Sequence, residues 1–148
     1  MGDLRVKPVR LFLDANILIS AARKDVSKVT RLWHVPNAEL VTSEYVLAEC
    51  QRNLPAADQQ ERLARLLLTV RILKFSEAPA LPDSILLPEK DQPVLAAAIF
   101  ARADFLVTGD KRHFGAWYGT TILGVGVEPP ARMLELLADT LPHSGNLH

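Results

Sequence analysis

Residues 94–110, VLAAAIFARADFLVTGD, carry two kinds of pattern back to back. Val94 to Arg102 reads as a helix, and its Ala96-Ala97-Ala98 run lets that helix lie close on a sheet. Phe105 to Thr108 then reads as a strand that ends at Gly109-Asp110. The same alternation recurs along the chain. Val9 to Leu13 is a continuous apolar run suited to a strand buried on both faces, and it stops at Asp14. Ile17, Leu18 and Ala21 follow at helical spacing. Glu39 to Thr42 is a second strand, after which Ser43 caps a helix striped by Val46, Leu47, Cys50 and Leu54. Gln60 to Leu73 suits a helix, although its tail VRILKF reads equally well as a strand. A proline-punctuated loop runs from Glu77 to Pro93. Ile122 to Val127 is a further strand, weakened by Gly124 and Gly126, and Pro129-Pro130 opens a last helix bearing Met133, Leu134, Leu136 and Leu137. Strands alternating with helices imply an α/β fold, three layers deep, around a central parallel sheet of about four to five strands. One domain over 1–148 is expected, with its core over 9–141 and a frayed tail at 142–148.

Composition narrows the function classes. The chain has 148 residues, enough to bury roughly 70% of the surface its unfolded form exposes. Lys plus Arg and Asp plus Glu are 17 each, so bulk positive charge cannot drive nucleic-acid binding, although a local site still can. Cys50 is the only cysteine, which excludes an internal disulfide and a cysteine zinc cage. The four histidines lack the i, i+4 spacing of a helical metal pair. No uncharged run reaches the roughly 18 residues of a membrane span, and the first apolar run lacks a cleavage signal, so a cytoplasmic protein is expected.

In an open parallel sheet, ligands bind outside the carboxyl ends of the strands. Asp14 and Asp110 both fall there; the plain alternative for each is a helix N-cap. Asp91 precedes Val94, Leu95 and Ala98 by three, four and seven residues, which points it inward at the N-terminus of the Ala-rich helix. A first-turn acid does not need that direction. Glu49 lies ~115° from the centre of its helix's apolar stripe, and pairing with Arg52 accounts for it equally well. Two carboxylates ~4 Å apart repel by about 4 kcal/mol at an effective dielectric near 20. Protons or a cation must offset this, and an all-oxygen cluster suits Mg²⁺ or Mn²⁺. Such an ion activates water and holds a phosphate oxygen, which reaches phosphoryl chemistry without naming a substrate.

The segments FLDANILIS (12–20), TSEYVLAEC (42–50) and KDQPVLAAAIFARADFLVTGDKRHF (90–114), in this order, resemble a PIN domain, and within that family the toxin components of toxin–antitoxin pairs. The resemblance implies a metal-dependent endoribonuclease. It makes Asp14, Glu49, Asp91 and Asp110 the catalytic and metal-holding acids, with Asn16 the polar neighbour of Asp14 and Ser43 and Thr108 lining the pocket. Many relatives carry another acid a few residues past the position of Asp110, where this chain has Lys111, Arg112 and His113. A single Mg²⁺ or Mn²⁺ is therefore at least as good an expectation as two. Lys111, Arg112 or His113 would meet substrate phosphates, unless they form only a solvated turn. Arg23, Lys24, Lys28 and Arg31 form a second basic group that either tracks the RNA or is a solvated helix face. Trp33, Trp117 and Tyr118 suit either base stacking or the core. The implied partners are RNA, a cognate antitoxin and a second copy in a homodimer. A haloacid-dehalogenase-like phosphatase also begins with an acid after strand one, but it needs a second Asp where Asn16 stands. A non-catalytic binding module on the same fold is the remaining alternative, disfavoured by the presence of all four acids.

Overall fold

The computed structural model describes residues 7–25, 27–74 and 80–140. Six strands, β1 (Val9–Leu13), β2 (Ala38–Ser43), β3 (Val70–Leu73), β4 (Phe105–Val107), β5 (Thr121–Ile122) and β6 (Val125–Glu128), form one sheet. The helices are α1 (Ala15–Arg23), α2 (Glu44–Asn53), α3 (Ala57–Leu67), α4 (Gln92–Phe100), the single turn α5 (Lys111–Phe114) and α6 (Pro130–Thr140). Strand order is β3-β2-β1-β4-β6-β5, with every pairing parallel except β5 with β6. The tail over 142–148 lies outside the described residues. None of the described helices is long and apolar enough to cross a membrane.

The sheet has six strands rather than four to five, for two local reasons. VRIL over 70–73 pairs with β2, so the tail of the Gln60–Leu73 segment is a strand and its helix ends at Leu67. Ile122 to Val127 is a hairpin rather than one strand. Leu123 and Gly124 both have positive φ, 49° and 90°, the two-residue turn whose twist matches flanking antiparallel strands. Gly124 meets that requirement at no steric cost.

Burial explains why the central strands read as unbroken apolar runs. Leu11, Phe12, Leu13, Leu106 and Val107 are fully buried, as strands covered on both faces must be. Helix α4 has no polar stripe: Val94, Leu95, Ala96, Ala97 and Ala98 are all buried, the condition of a helix apolar all round. Its small residues permit close approach to the sheet, and its N-terminus is brought to the carboxyl edge of the strands.

Numbering along the sheet runs β1, β2, β3 to one side of β1 and β4, β6 to the other. The order therefore reverses between β1 and β4. Crossovers leave in opposite directions from that point and open a crevice at the carboxyl ends, where open α/β sheets bind ligands. Two backbone bonds fix this edge: Asp14 N–H to the Val107 carbonyl (3.1 Å) and Thr108 N–H to the Glu128 carbonyl (3.1 Å).

Candidate active site

The crevice is lined by the residues that directly follow β1 and β4. Asp14 is buried; its Oδ1 accepts from the Ala15 N–H (2.7 Å) and so starts α1. Its Oδ2 accepts from the Thr108 hydroxyl (2.8 Å) and the Asn16 amide (3.1 Å). Asn16 also bridges to the other strand end, its Oδ1 accepting from the Gly109 N–H (2.6 Å). A Cβ at Gly109 would stand 3.1 Å from that oxygen, so glycine keeps the backbone within reach. Thr108 Oγ1 in turn accepts from the Asp110 N–H (3.1 Å), and the Tyr118 hydroxyl donates to the Thr108 carbonyl (2.7 Å). Asp14 and Asp110, 96 positions apart in the chain, are thus tied through one threonine oxygen.

Asp91 and Asp110 meet at a third residue. Asp110 caps α5 by accepting from the His113 N–H (3.1 Å), which leaves its other oxygen turned to the side chain of the same histidine. His113 Nδ1 stands 2.8 Å from Asp110 Oδ2 and 2.9 Å from Asp91 Oδ2. Neither contact has hydrogen-bond angles, so the buried atoms Asp91 Oδ2 and His113 Nδ1 have no hydrogen-bond partner. Asp91 occupies the N-cap position of α4 yet makes no side-chain cap bond, and only 7% of its side chain is exposed. Helix capping therefore does not account for its inward direction. Asp14 and Asp110, by contrast, do cap helices as well as line the crevice.

Charge is concentrated here. Burial pushes the Asp14 carboxyl above its ordinary range; the Thr108 and Ala15 hydrogen bonds oppose this, and the Glu49 and Asp91 charges add to it. Burial also drives the Cys50 thiol up to about 12, with Glu49 and Asp14 contributing, so it is an inert core group. Lys90 is exposed, with Nζ 3.4 Å from Asp91 Oδ1. Partial desolvation works against its charge, but Asp91, Asp110 and Glu49 outweigh that and raise its pKa. The Tyr118 hydroxyl is raised by burial, and then by Asp110 and Asp14.

The remaining expected residues take varied places. Glu49 is half-buried on α2 and bonds none of the other acids, but its charge acts on Asp14 and Lys90 from beside them. Among the described residues no ion pair joins it to Arg52. Ser43 Oγ is engaged as the α2 cap, accepting from the Val46 N–H (3.3 Å). Lys111 and Arg112 stay exposed beside the crevice, whereas His113 turns inward to the acids rather than outward. The acid cluster is accordingly not all-oxygen. The Asp110–His113 spacing, i to i+3 on one helical turn, was the signal in the sequence for this. Two supporting residues carry no such signal: Tyr118 under Thr108, and Tyr45, whose hydroxyl donates to the Lys90 carbonyl (2.7 Å). Arg23, Lys24, Lys28 and Arg31 are exposed, while Trp33, Trp117 and Tyr118 pack against the core, half-buried.

The sequence profile of the PIN domain matches residues 10–112, a span that begins in β1 and ends just after Asp110. The chain belongs to the PIN domain family. No curated protein matches this PIN domain in sequence. Among solved structures it is similar to VapBC2 from Rickettsia felis, bound to a DNA fragment from its promoter: 20% identity and TM-score 0.61, covering 82% of this chain and 98% of that one. It is also similar to a PilT N-terminus domain protein from Sulfolobus solfataricus P2, at 19% identity and TM-score 0.53 over 95% and 100% of the two chains. A third is VapC20 from Mycobacterium tuberculosis, a Sarcin-Ricin loop cleaving toxin: 15% identity and TM-score 0.52, over 72% and 94%. At these identities the likeness carries the fold.

Thr108 is the structural pivot of this PIN domain's crevice, which makes it testable apart from chemistry. Thr108→Val keeps the shape and removes one hydroxyl that serves Asp14, Asn16 and the Asp110 N–H. Each buried polar group left without a partner costs about 1–3 kcal/mol. The variant is expected to lose about 2–4 kcal/mol in urea unfolding, and a loss below about 0.5 kcal/mol would show that Thr108 is no pivot.

Proposed function

We propose that this PIN domain is a divalent-metal-dependent endoribonuclease, the toxin of a toxin–antitoxin pair, acting in the cytoplasm. The observation that carries the reading is Asp91 Oδ2, a buried carboxylate oxygen with no hydrogen-bond partner, turned toward Asp110 and a second orphaned atom on His113. Buried polar atoms of this kind call for a ligand, and carboxylates converging at a switch point suit a hard cation. Asp91 and Asp110, whose oxygens lie close enough to share one ion, would hold Mg²⁺ or Mn²⁺, with Asp14 and Glu49, which stand outside that close group, reaching it directly or through water. When bound, the ion lowers the pKa of a water and offsets charge on the scissile phosphate.

The chain's own residues divide the remaining tasks. Thr108 and Asn16 fix the Asp14 carboxylate by hydrogen bonds to Oδ2, so it does not reorient when the crevice fills. Ser43 secures the start of α2, the helix that carries Glu49. Glu49, whose carboxylate makes no side-chain hydrogen bond among the described residues, is the acid that would accept a proton. Lys111 and Arg112 at the rim, joined by Lys90, would pair with substrate phosphates and raise the local concentration of RNA around an otherwise neutral protein. The similarity to VapBC2 and VapC20 supports an antitoxin partner; in the proposed assembly it would occlude this rim, and the toxin would be a homodimer. The test is cleavage of a fluorescent RNA panel by metal-stripped protein. Hydrolysis that appears on adding Mn²⁺ or Mg²⁺ and stops with EDTA is expected; RNA binding without cleavage under either ion would identify a non-catalytic module instead.

A further inference from the structure

We propose that His113 is a metal ligand through Nδ1, joining Asp91 and Asp110 in a mixed nitrogen–oxygen set that favours Mn²⁺ over Mg²⁺. This rests on the metal-dependent reading above and deepens it. Three ligand atoms, one each from Asp91, Asp110 and His113, lie within 4.8 Å of one another. Bonds of about 2.0–2.2 Å at right angles place neighbouring ligand atoms about 3 Å apart around a hexacoordinate ion. The separations of 2.8 and 2.9 Å from Nδ1 to the carboxylate oxygens match such edges. Nδ1 is buried, so it cannot itself meet a substrate phosphate.

Local structure holds the ring in this place. Asp110 caps α5 with one oxygen and presents the other to the ring it has positioned. Phe114, the next residue, is fully buried and anchors the turn. The ligating form is the neutral imidazole with its proton on Nε2. Imidazole nitrogen suits transition ions, whereas Mg²⁺ prefers oxygen and sheds water reluctantly. One nitrogen in the set therefore shifts preference toward Mn²⁺.

The decisive experiment is electron spin echo modulation of Mn²⁺ added to the metal-stripped full chain. A ¹⁴N coupling is expected in the wild type, converting to ¹⁵N in protein grown on ¹⁵N-histidine, and vanishing in His113→Ala. Calorimetric titration of the same variant is expected to show Mn²⁺ affinity falling about 10–100-fold and Mg²⁺ affinity by less than about threefold. Wild type that binds Mn²⁺ with no nitrogen coupling, or a coupling that survives in His113→Ala, overturns the ligand assignment and leaves the metal-dependent nuclease standing. Wild type that binds neither ion overturns both. Because the isotope measurement uses wild-type protein, the inference stays falsifiable even if the variant does not fold.

Discussion

Asp110→Asn is expected to lower metal-activated RNA cleavage by about a thousandfold while leaving the fold intact. The substitution is chosen for what it preserves. Asp110 accepts the His113 N–H that starts α5, and an asparagine oxygen serves the same cap equally well. What changes is the second oxygen, which stands 2.8 Å from His113 Nδ1 and loses its charge. A bound ion contributes several kcal/mol of transition-state charge stabilisation, and each loss of about 1.4 kcal/mol is a factor of ten in rate. Losing one charged ligand of the proposed set removes about 4 kcal/mol of that. Cleavage rates at saturating Mn²⁺, taken beside circular dichroism spectra of both proteins, check this. Activity within tenfold of wild type would remove Asp110 from the catalytic set.

Much of the fold was legible because strong local patterns agreed with it. LFL over 11–13 and FLV over 105–107 are unbroken apolar runs because their strands are buried on both faces, and a carboxylate or Gly-Asp follows each. The hairpin at 122–127 was missed for the opposite reason. Gly124 weakens a strand pattern whether it marks a bulge or a turn, and the positive φ that decides the matter belongs to Leu123 as much as to the glycine. The inward direction of Asp91 followed from the helical period alone. What one-dimensional spacing could not supply was the β1–β4 switch point, because strand order depends on how segments pair across the whole chain. Nor could it supply the Thr108 hydroxyl as the link between Asp14 and Asp110. His113 shows a subtler limit: its charge class, in a run of Lys111, Arg112 and His113, suggests a rim facing phosphates. The i, i+3 relation to Asp110 decides otherwise, since it sets the ring on the same side of the turn as that carboxylate while Lys111 and Arg112 stay exposed.

The same crowding that suits a cation leaves the metal-free protein with a pH signature. Burial, then the Glu49 and Asp91 charges, raise the Asp14 carboxyl above its ordinary 3.8, against the pull of Thr108 and Ala15. Between the unfolded value and the raised folded one, the folded state binds more protons than the unfolded chain. Stability from this group therefore falls as pH rises, and the loss is complete above the folded pKa. Asp14→Asn keeps the Ala15 cap but cannot ionise, so it lacks this slope. In urea unfolding with EDTA, wild-type stability minus variant stability is expected to be largest near pH 4 and to shrink toward neutrality. Adding Mn²⁺ at pH 7 supplies the missing countercharge, and at a hundred times its dissociation constant it restores about 2.7 kcal/mol to wild type. The variant, with one carboxylate fewer in the proposed set, gains less. A difference that instead grows with pH in EDTA would mean that Asp14 is stabilised as an anion by its hydrogen bonds, and that burial at the switch point places no demand for a cation on it.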